Sequence, residues 1–155
     1  LSRLTPRAER AGASMIETRL LNPGRELEAL VDLEGGADAV LIDAPCSGTG
    51  TWRRNPEARW RLTPAALDRL VETQAHILDY ATSLLRPGGR LVYVTCSLLD
   101  AEGAGQFDAF LSRHPAFTAQ PIALPSGKER GAGIRLTPQA DGTDGFFIAS
   151  AALAC

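Results

Sequence analysis

The stretch ADAVLIDAPC (residues 37–46) decides the fold class of this 155-residue chain. Its apolar part, residues 37–42, shows no alternation of apolar and polar positions and leads directly to Asp43. Such a run is typical of a strand buried on both faces, as the strands of parallel sheets are. A second run of similar character, RLVYVT (residues 90–95), ends at Cys96. Two such runs predict neighbouring parallel strands.

The segment between the two runs predicts one long helix. Thr63 is a candidate N-cap with Pro64 in the first helical position, and apolar residues recur at helical spacing over residues 67–85. Gln74 lies on the same apolar stripe, so we expect a buried partner for its amide. Strand, helix and strand in this order predict an open α/β sheet, in which a right-handed crossover places the two strands side by side.

Further elements are predicted on both sides of this unit. Before it, we expect a helix over residues 1–11, a short strand over residues 14–21 and a helix over residues 25–32. After it, Asp100 is a candidate cap of another helix. Residues 146–149 form the last apolar run and predict a final strand.

The composition excludes several classes of protein. With 45% hydrophobic residues, the chain has enough apolar side chains for one ordinary domain with a core. A net charge of -2 excludes a polybasic coat, so nucleic-acid binding requires a local cluster. No stretch approaches the roughly 18 apolar residues of a membrane span, so we expect no membrane partner. The three cysteines favour reduced thiols and a cytoplasmic location.

Two cysteines stand where an open α/β sheet binds its ligands, at the carboxyl ends of strands. Cys46 follows the first run and Cys96 follows the second, each among small polar residues. A buried structural role and a disulfide between the two are the alternatives to a catalytic role. Metal binding is not predicted, because no Cys-x-x-Cys pair exists and the two histidines, His76 and His114, lie within or after helices.

Other candidate ligands flank the first cysteine. Asp43 ends its strand, and its carboxylate suits either a ligand amino group or the capping of the local turn. In the loop that follows, Arg53, Arg54 and Trp60 belong to a set of arginines interleaved with tryptophans. Guanidinium groups suit phosphates and indoles suit stacked bases, although such a loop can also be a solvated surface.

Four motifs resemble one known family. In chain order they are LIDAPCSGTG (residues 41–50), RRNPEARW (residues 53–60), RPGGRLVYVTCS (residues 86–97) and DGFF (residues 144–147). Together they closely resemble the Sun/Fmu-type RNA cytosine-C5 methyltransferases. The resemblance covers nearly the whole chain, from the helix at RLTPRAERAG (residues 3–12) to the final strand.

The resemblance implies a Rossmann-like methyltransferase fold with a mostly parallel sheet and helices on both faces. It implies S-adenosylmethionine as the cofactor and RNA as the substrate, with ribosomal RNA favoured over transfer RNA. On this basis we expect residues 1–155 to be the C-terminal portion of a single catalytic domain. The N-terminal strands and the Gly-rich cofactor loop would then precede Leu1, so the chain by itself would bind the cofactor poorly.

The resemblance also implies individual roles. Cys96 is the nucleophile, Cys46 assists release of the product, and Asp43 lies at the cofactor and the target base. Asn22 occupies the position of an aspartate that the family places near the adenine, which makes it a candidate cofactor ligand. Of the Glu-Asn-Glu that usually follows the second cysteine, only Glu102 is present.

The chemistry of the residue types fits these roles. Carbon 5 of cytosine is a poor nucleophile, but addition of a thiolate to carbon 6 makes carbon 5 enamine-like and able to accept a methyl group. Loss of the carbon 5 proton then lets the thiolate leave. The site must therefore provide a thiolate, and the base must be exposed in single-stranded RNA or flipped out of a helix.

Two alternatives stay open at this point. A DNA cytosine methyltransferase uses the cysteine of a Pro-Cys turn as its nucleophile, which here would be Cys46 instead of Cys96. The non-enzymatic alternative is an RNA-binding or assembly factor that keeps the fold without the activity. The presence of both cysteines favours an enzyme, because assembly alone needs neither thiol.

Overall fold

The computed structural model describes residues 4–155, which divide into two compact units, residues 4–32 and residues 33–155. The first unit begins with helix α1 (Thr5–Arg10) and ends in short 3-10 turns. Within it, the guanidinium of Arg19 donates to the carbonyl oxygen of Ala29 at 3.0 Å and to Asp32 Oδ2 at 2.7 Å. These contacts close the irregular segment between α1 and the turns.

The predictions for the first unit are met only in part. The helix predicted over residues 1–11 is confirmed over Thr5–Arg10, and residues 1–3 lie outside the described residues. The prediction of a strand over residues 14–21 is wrong. This segment is irregular, because residues 4–32 contain no strand with which it could pair. The helix predicted over residues 25–32 is present only as 3-10 turns.

The second unit is built on a six-stranded sheet. Its strands are β1 (Ala37–Asp43), β2 (Leu85–Thr95), β3 (Phe117–Gln120), β4 (Lys128–Arg130), β5 (Gly133–Leu136) and β6 (Phe146–Leu153). They lie in the order β1-β2-β6-β5-β4, and β3 pairs with β6. β1 and β2 are parallel neighbours with Ile42 opposite Tyr93, and β6 runs antiparallel to β2 with Ala149 opposite Tyr93. The predicted open α/β sheet is confirmed.

The sheet is mixed, which corrects the expectation of a mostly parallel sheet. Within residues 4–155, β1 and β2 form the one parallel pair, and the remaining strands pair antiparallel. Parallel pairing requires a long crossover, which helix α2 (Pro64–Ala81) supplies between β1 and β2. The chain after helix α3 (Ala104–Arg113) connects its strands through shorter segments, which suit antiparallel pairing.

Two helices carry most of the helical structure of this unit: α2 (Pro64–Ala81) and α3 (Ala104–Arg113), with a single turn, α4 (Pro138–Asp141), before β6. The predicted N-cap of α2 is confirmed, because Thr63 Oγ1 accepts a hydrogen bond from the Ala66 amide at 3.2 Å. Asp100 does not cap α3. Gly103 occupies that position, and Asp100 instead forms ion pairs with Arg130 and Arg135.

Helices α2 and α3 pack on each other and share one core with the same face of the sheet. Leu91 and Tyr93 of β2 point into that core and are fully buried. On the opposite face, Leu41 of β1 is 69% exposed. Within residues 33–155, the expectations of helices on both faces and of a first strand buried on both faces are therefore corrected.

An aromatic cluster fixes the sheet to α3. The rings of Tyr93 and Phe107 stack at 6.0 Å between centroids, and Phe147 of β6 contacts Tyr93 edge-on at 6.4 Å. Phe110 continues the cluster at 5.6 Å from Phe107. All four side chains are completely buried, and each contributes on the order of 2–3 kcal/mol through apolar burial. This cluster makes the end of β2 and the start of β6 a rigid support.

Candidate active site

Cys46 and Cys96 are in contact. Cys46 follows β1 by three residues, Cys96 follows β2 directly, and their Sγ atoms lie 3.4 Å apart. Both side chains are half-buried, and neither forms a disulfide. The parallel pairing of β1 and β2 brings both carboxyl ends to one edge, so the predicted convergence of the two thiols is found in the structure.

Backbone contacts fix the loop that carries Cys46. The Ala44 amide donates to the Val94 carbonyl at 3.0 Å, and the Gly50 amide donates to the Cys96 carbonyl at 3.0 Å. Gly50 also accepts a hydrogen bond at 2.8 Å from the amide of Gly145, just before β6. A Cβ atom on Gly50 would lie 2.1 Å from the Gly145 oxygen, so only glycine allows this approach. The loop is therefore attached to both β2 and β6.

A buried carboxylate lies beneath the thiols. Glu102 is fully buried, and its Oε1 accepts from the Ser47 amide at 2.8 Å and from Gln74 Nε2 at 3.1 Å. Its Oε2 accepts from Ser97 Oγ at 2.6 Å and also from the Ser47 hydroxyl. Four donors thus meet the roughly four lone-pair sites of one carboxylate.

Gln74 connects this carboxylate to α2. Its Nε2 also donates to the Pro45 carbonyl at 2.9 Å, in the turn that precedes Cys46. The side chain is fully buried, which confirms the prediction of a buried partner for this amide. Helix α2 is in this way hydrogen-bonded to the Cys46 loop and to Glu102 by a single side chain.

The environment of Cys46 opposes ionisation of its thiol. Burial, followed by hydrogen bonding to Cys96, raises the pKa of the Cys46 thiol to about 12. Cys46 therefore keeps its proton near neutral pH and can donate it to Cys96 Sγ across the 3.4 Å contact. A protonated thiol is a poor nucleophile, so this environment disfavours Cys46 as the attacking group.

Arg54 lies within electrostatic reach of Cys96. Its Nε donates to Asp144 Oδ2 at 2.7 Å, and Arg53 Nη2 lies 3.6 Å from Asp144 Oδ1. The pKa of Arg54 is raised mainly by hydrogen bonding to Asp144, with a smaller contribution from negative charge on Cys96. The two predicted arginines are thus brought together by Asp144, and both side chains remain more than half exposed.

The other predicted site residues are exposed and lie outside the hydrogen-bonded network around the thiols. Asp43 is exposed, pairs in register with Val94, and receives no side-chain hydrogen bond within residues 4–155. Trp60 is 77% exposed, with the guanidinium carbon of Arg59 4.6 Å from its ring centroid. Asn22 belongs to the first unit and is also exposed. Their roles in binding stay predictions.

The sequence predictions missed Glu102 and Asp144 as parts of the site. A signal for Glu102 existed in the repeated Cys-Ser dipeptide, because Cys46 and Cys96 are each followed by a serine that needs an acceptor when buried. No comparable local signal identified Asp144, whose partners are about 90 residues earlier in the chain.

Two kinds of feature are absent from the described part of the chain. Among residues 4–155, no group of three or more histidine, cysteine, aspartate or glutamate side chains could hold a metal ion. The helices within the same residues are too short or too polar to cross a bilayer.

The sheet topology and the paired thiols define the class of protein as a Rossmann-like methyltransferase domain. Residues 10–152 match the model of the 16S rRNA methyltransferase RsmB/F family, and the chain belongs to this family. The predicted family resemblance is thereby confirmed. The enzymes of the family depend on S-adenosylmethionine, in agreement with the predicted cofactor.

Individual relatives agree with this membership. Ribosomal RNA small subunit methyltransferase B of Thermus thermophilus is 44% identical over 114 residues, which are 73% of this chain and 28% of that protein. The crystal structure of PH0851 superimposes with a TM-score of 0.88 at 34% identity, over 97% of this chain and 34% of that one. NSun6 from Pyrococcus horikoshii, solved with SFG, has the same fold, with a TM-score of 0.82 at 24% identity over 99% of this chain and 38% of that one.

The chain spans between 28% and 38% of the length of these relatives. Its own residues include the thiol pair, the Glu102 network and the Arg54 ion pair.

The raised pKa predicts slow alkylation of Cys46. At pH 8, iodoacetamide should modify Cys46 at least about tenfold more slowly than the exposed Cys155, because burial leaves little Cys46 thiolate. The Cys46 rate should continue to rise from pH 8 to pH 10. Peptide mass spectrometry at each pH measures both. A Cys46 rate that levels off below pH 9 would contradict the assignment.

Proposed function

We propose that the protein containing this chain methylates carbon 5 of cytosine in RNA, with Cys96 as the nucleophile. The observation that carries the proposal is the contact of two thiols at 3.4 Å, at the ligand-binding edge of a methyltransferase sheet. Cytosine C5 methylation needs one sulfur to add to the base, and it benefits from a second group beside it to complete the release.

The proposed reaction has three steps. The Cys96 thiolate adds to carbon 6 of the cytosine, forming a carbon–sulfur bond and moving an electron pair toward carbon 5. S-adenosylmethionine, when bound, supplies the methyl group that carbon 5 takes up. A base then removes the carbon 5 proton, the carbon 5–carbon 6 double bond re-forms, and the Cys96 thiolate leaves.

The surroundings of the two thiols support this division of roles. The guanidinium of Arg54 lies within electrostatic reach of Cys96. Cys46 holds its proton because its thiol is buried. We therefore assign the attack to Cys96 and the assistance of product release to Cys46. The reverse assignment, as in a DNA cytosine methyltransferase, would require the buried thiol to ionise first.

Asp43 has the chemistry of a cofactor or base ligand. Its exposed carboxylate ends β1, three residues before Cys46, and can accept hydrogen bonds from an amino group. We propose Asp43 for this role, and Asn22 as a second polar contact to the cofactor.

RNA is the proposed substrate, and ribosomal RNA is favoured because it appears in the name of the matched family. Transfer RNA is the second choice. Arg53 and Arg54 present two exposed guanidinium groups in the loop that follows Cys46, and Trp60 offers an exposed indole for stacking on a base. An incoming phosphate would compete with Asp144 for the same guanidinium groups.

The central prediction concerns RNA that contains 5-azacytidine, whose ring nitrogen at position 5 blocks release of the enzyme. With this RNA and S-adenosylmethionine, the full-length protein should form a covalent adduct stable to denaturing gel electrophoresis. Cys96→Ala should abolish the adduct, because the attacking sulfur is lost. Cys46→Ala should still form it, and should also remain attached to ordinary RNA if release fails.

Controls separate the alternatives. Cys155→Ala removes an exposed thiol outside the site and should behave as the unchanged protein. Loss of the adduct in Cys46→Ala with persistence in Cys96→Ala would favour the DNA-type assignment. Absence of any adduct, despite measured binding of RNA and cofactor, would favour an RNA-binding assembly factor without activity.

Arg54 and Arg53 should contribute to RNA affinity through phosphate contacts. Replacing either with alanine should weaken RNA binding by roughly fivefold and reduce the salt dependence by about 0.7 in the log–log slope. Fluorescence anisotropy with labelled RNA at several salt concentrations measures both quantities. Arg86→Ala is the matched control, because Arg86 is similarly exposed and also ion-paired, but it pairs with Asp38 near the start of β1. Equal losses in all three variants would contradict a specific role.

A further inference from the structure

Both cysteines are followed by a serine, and the two serines share one acceptor. Ser47 reaches Glu102 through its amide and its hydroxyl, and Ser97 reaches it through its hydroxyl at 2.6 Å. The carboxylate therefore links the residue next to Cys46 with the residue next to Cys96. The link crosses between two loops that are separated by about 50 residues in the chain.

A relay of hydroxyl groups completes the link. The Leu98 amide donates to Thr49 Oγ1 at 2.8 Å, and Thr49 Oγ1 lies 3.1 Å from Ser97 Oγ. Because Ser97 Oγ donates to Glu102, it is free to accept from Thr49. Each hydroxyl group in this relay donates toward Glu102, so the direction of its O–H bond is fixed.

Glu102 cannot act on the substrate itself. Its side chain is fully buried, and its lone pairs already accept four hydrogen bonds. Burial of a carboxylate carries a desolvation cost, and apolar residues of the same volume often stabilise a fold equally well. A buried carboxylate with donors on all sides is more effective at fixing geometry than at adding stability.

We propose that Glu102 is a positioning residue that holds the Cys46 and Cys96 thiols in contact. The hydrogen bonds to Ser47 and Ser97 set the relative position of the two loops, and Gln74 anchors the carboxylate to α2 and to the turn before Cys46. The consequence for catalysis rests on the proposed function: attack and release can alternate only while both sulfurs stay beside the same base.

The contact between the sulfurs can be measured without RNA or cofactor. Diamide takes up two electrons and two protons from a pair of thiols and leaves a disulfide, at a rate that depends on how closely the sulfurs approach. The experiment uses the full-length protein in a Cys155→Ser background, so that the exposed third thiol does not compete. Peptide mass spectrometry identifies the Cys46–Cys96 disulfide at successive times.

Glu102→Leu should form this disulfide at least about tenfold more slowly, because all four donors lose their acceptor and the loops separate. Glu102→Gln should stay within about threefold of the unchanged protein. Its amide oxygen can accept from the Ser47 amide and Gln74, while the two serine hydroxyls turn to accept from its NH2 group. This pattern assigns the role to hydrogen-bonded geometry rather than to charge.

The matched control is Gln106→Leu. Gln106 is buried in the same unit and donates to the Val71 carbonyl at 2.6 Å, so its replacement also removes a buried hydrogen bond. It should leave the rate of disulfide formation unchanged. A slow rate in this control as well would assign the effect to general loosening of the fold and overturn the proposal, as would an unchanged rate in Glu102→Leu.

If Glu102→Leu does not fold, the double variant Ser47→Ala and Ser97→Ala decides the question. It removes the two hydroxyl donors but keeps the carboxylate, the Ser47 amide and Gln74. The disulfide should then form about threefold to fivefold more slowly, and an unchanged rate would overturn the proposal. Because neither RNA nor methylation enters this assay, its result is independent of the 5-azacytidine experiment.

Discussion

The parallel pairing of β1 with β2 is the constraint on which the site depends. Parallel strands present their carboxyl ends at the same edge, so the residues that follow them meet there. Cys46 and Cys96 are separated by 50 residues in sequence and by 3.4 Å between their Sγ atoms. Helix α2 makes this possible as the crossover, and the aromatic cluster around Tyr93 keeps β2 fixed against α3.

The polar interior below the thiols has an energetic cost that the structure offsets locally. A buried carboxylate without partners would be strongly destabilising, but Glu102 receives four hydrogen bonds from three separate segments. Beside the thiols, the ion pair of Arg54 with Asp144 connects the loop after β1 to the turn before β6. Polar contacts of this kind determine geometry, whereas the aromatic core supplies most of the stability.

The sequence predicts the elements whose signals are local. β1 and β2 each contain a short apolar run, and α2 carries its own cap at Thr63, so each is identified from a short window. The strands β3 to β5 are short and become strands only by pairing with each other or with β6, a contact that no local pattern records. The same dependence on pairing explains why the strand predicted over residues 14–21 is absent. Glu102 was missed because three of its four hydrogen bonds come from Ser47 and Gln74, which are distant in the chain.

The central claim is that the modified atom is carbon 5 of a cytosine in RNA. The most direct measurement uses the full-length protein, S-adenosylmethionine and RNA that carries tritium at carbon 5 of its cytosines. Tritium should be released into water in a one-to-one ratio with the methyl groups incorporated, because the carbon 5 proton must leave after the methyl group arrives. Incorporation of methyl groups without release of tritium would place the methylation on another atom and contradict the account.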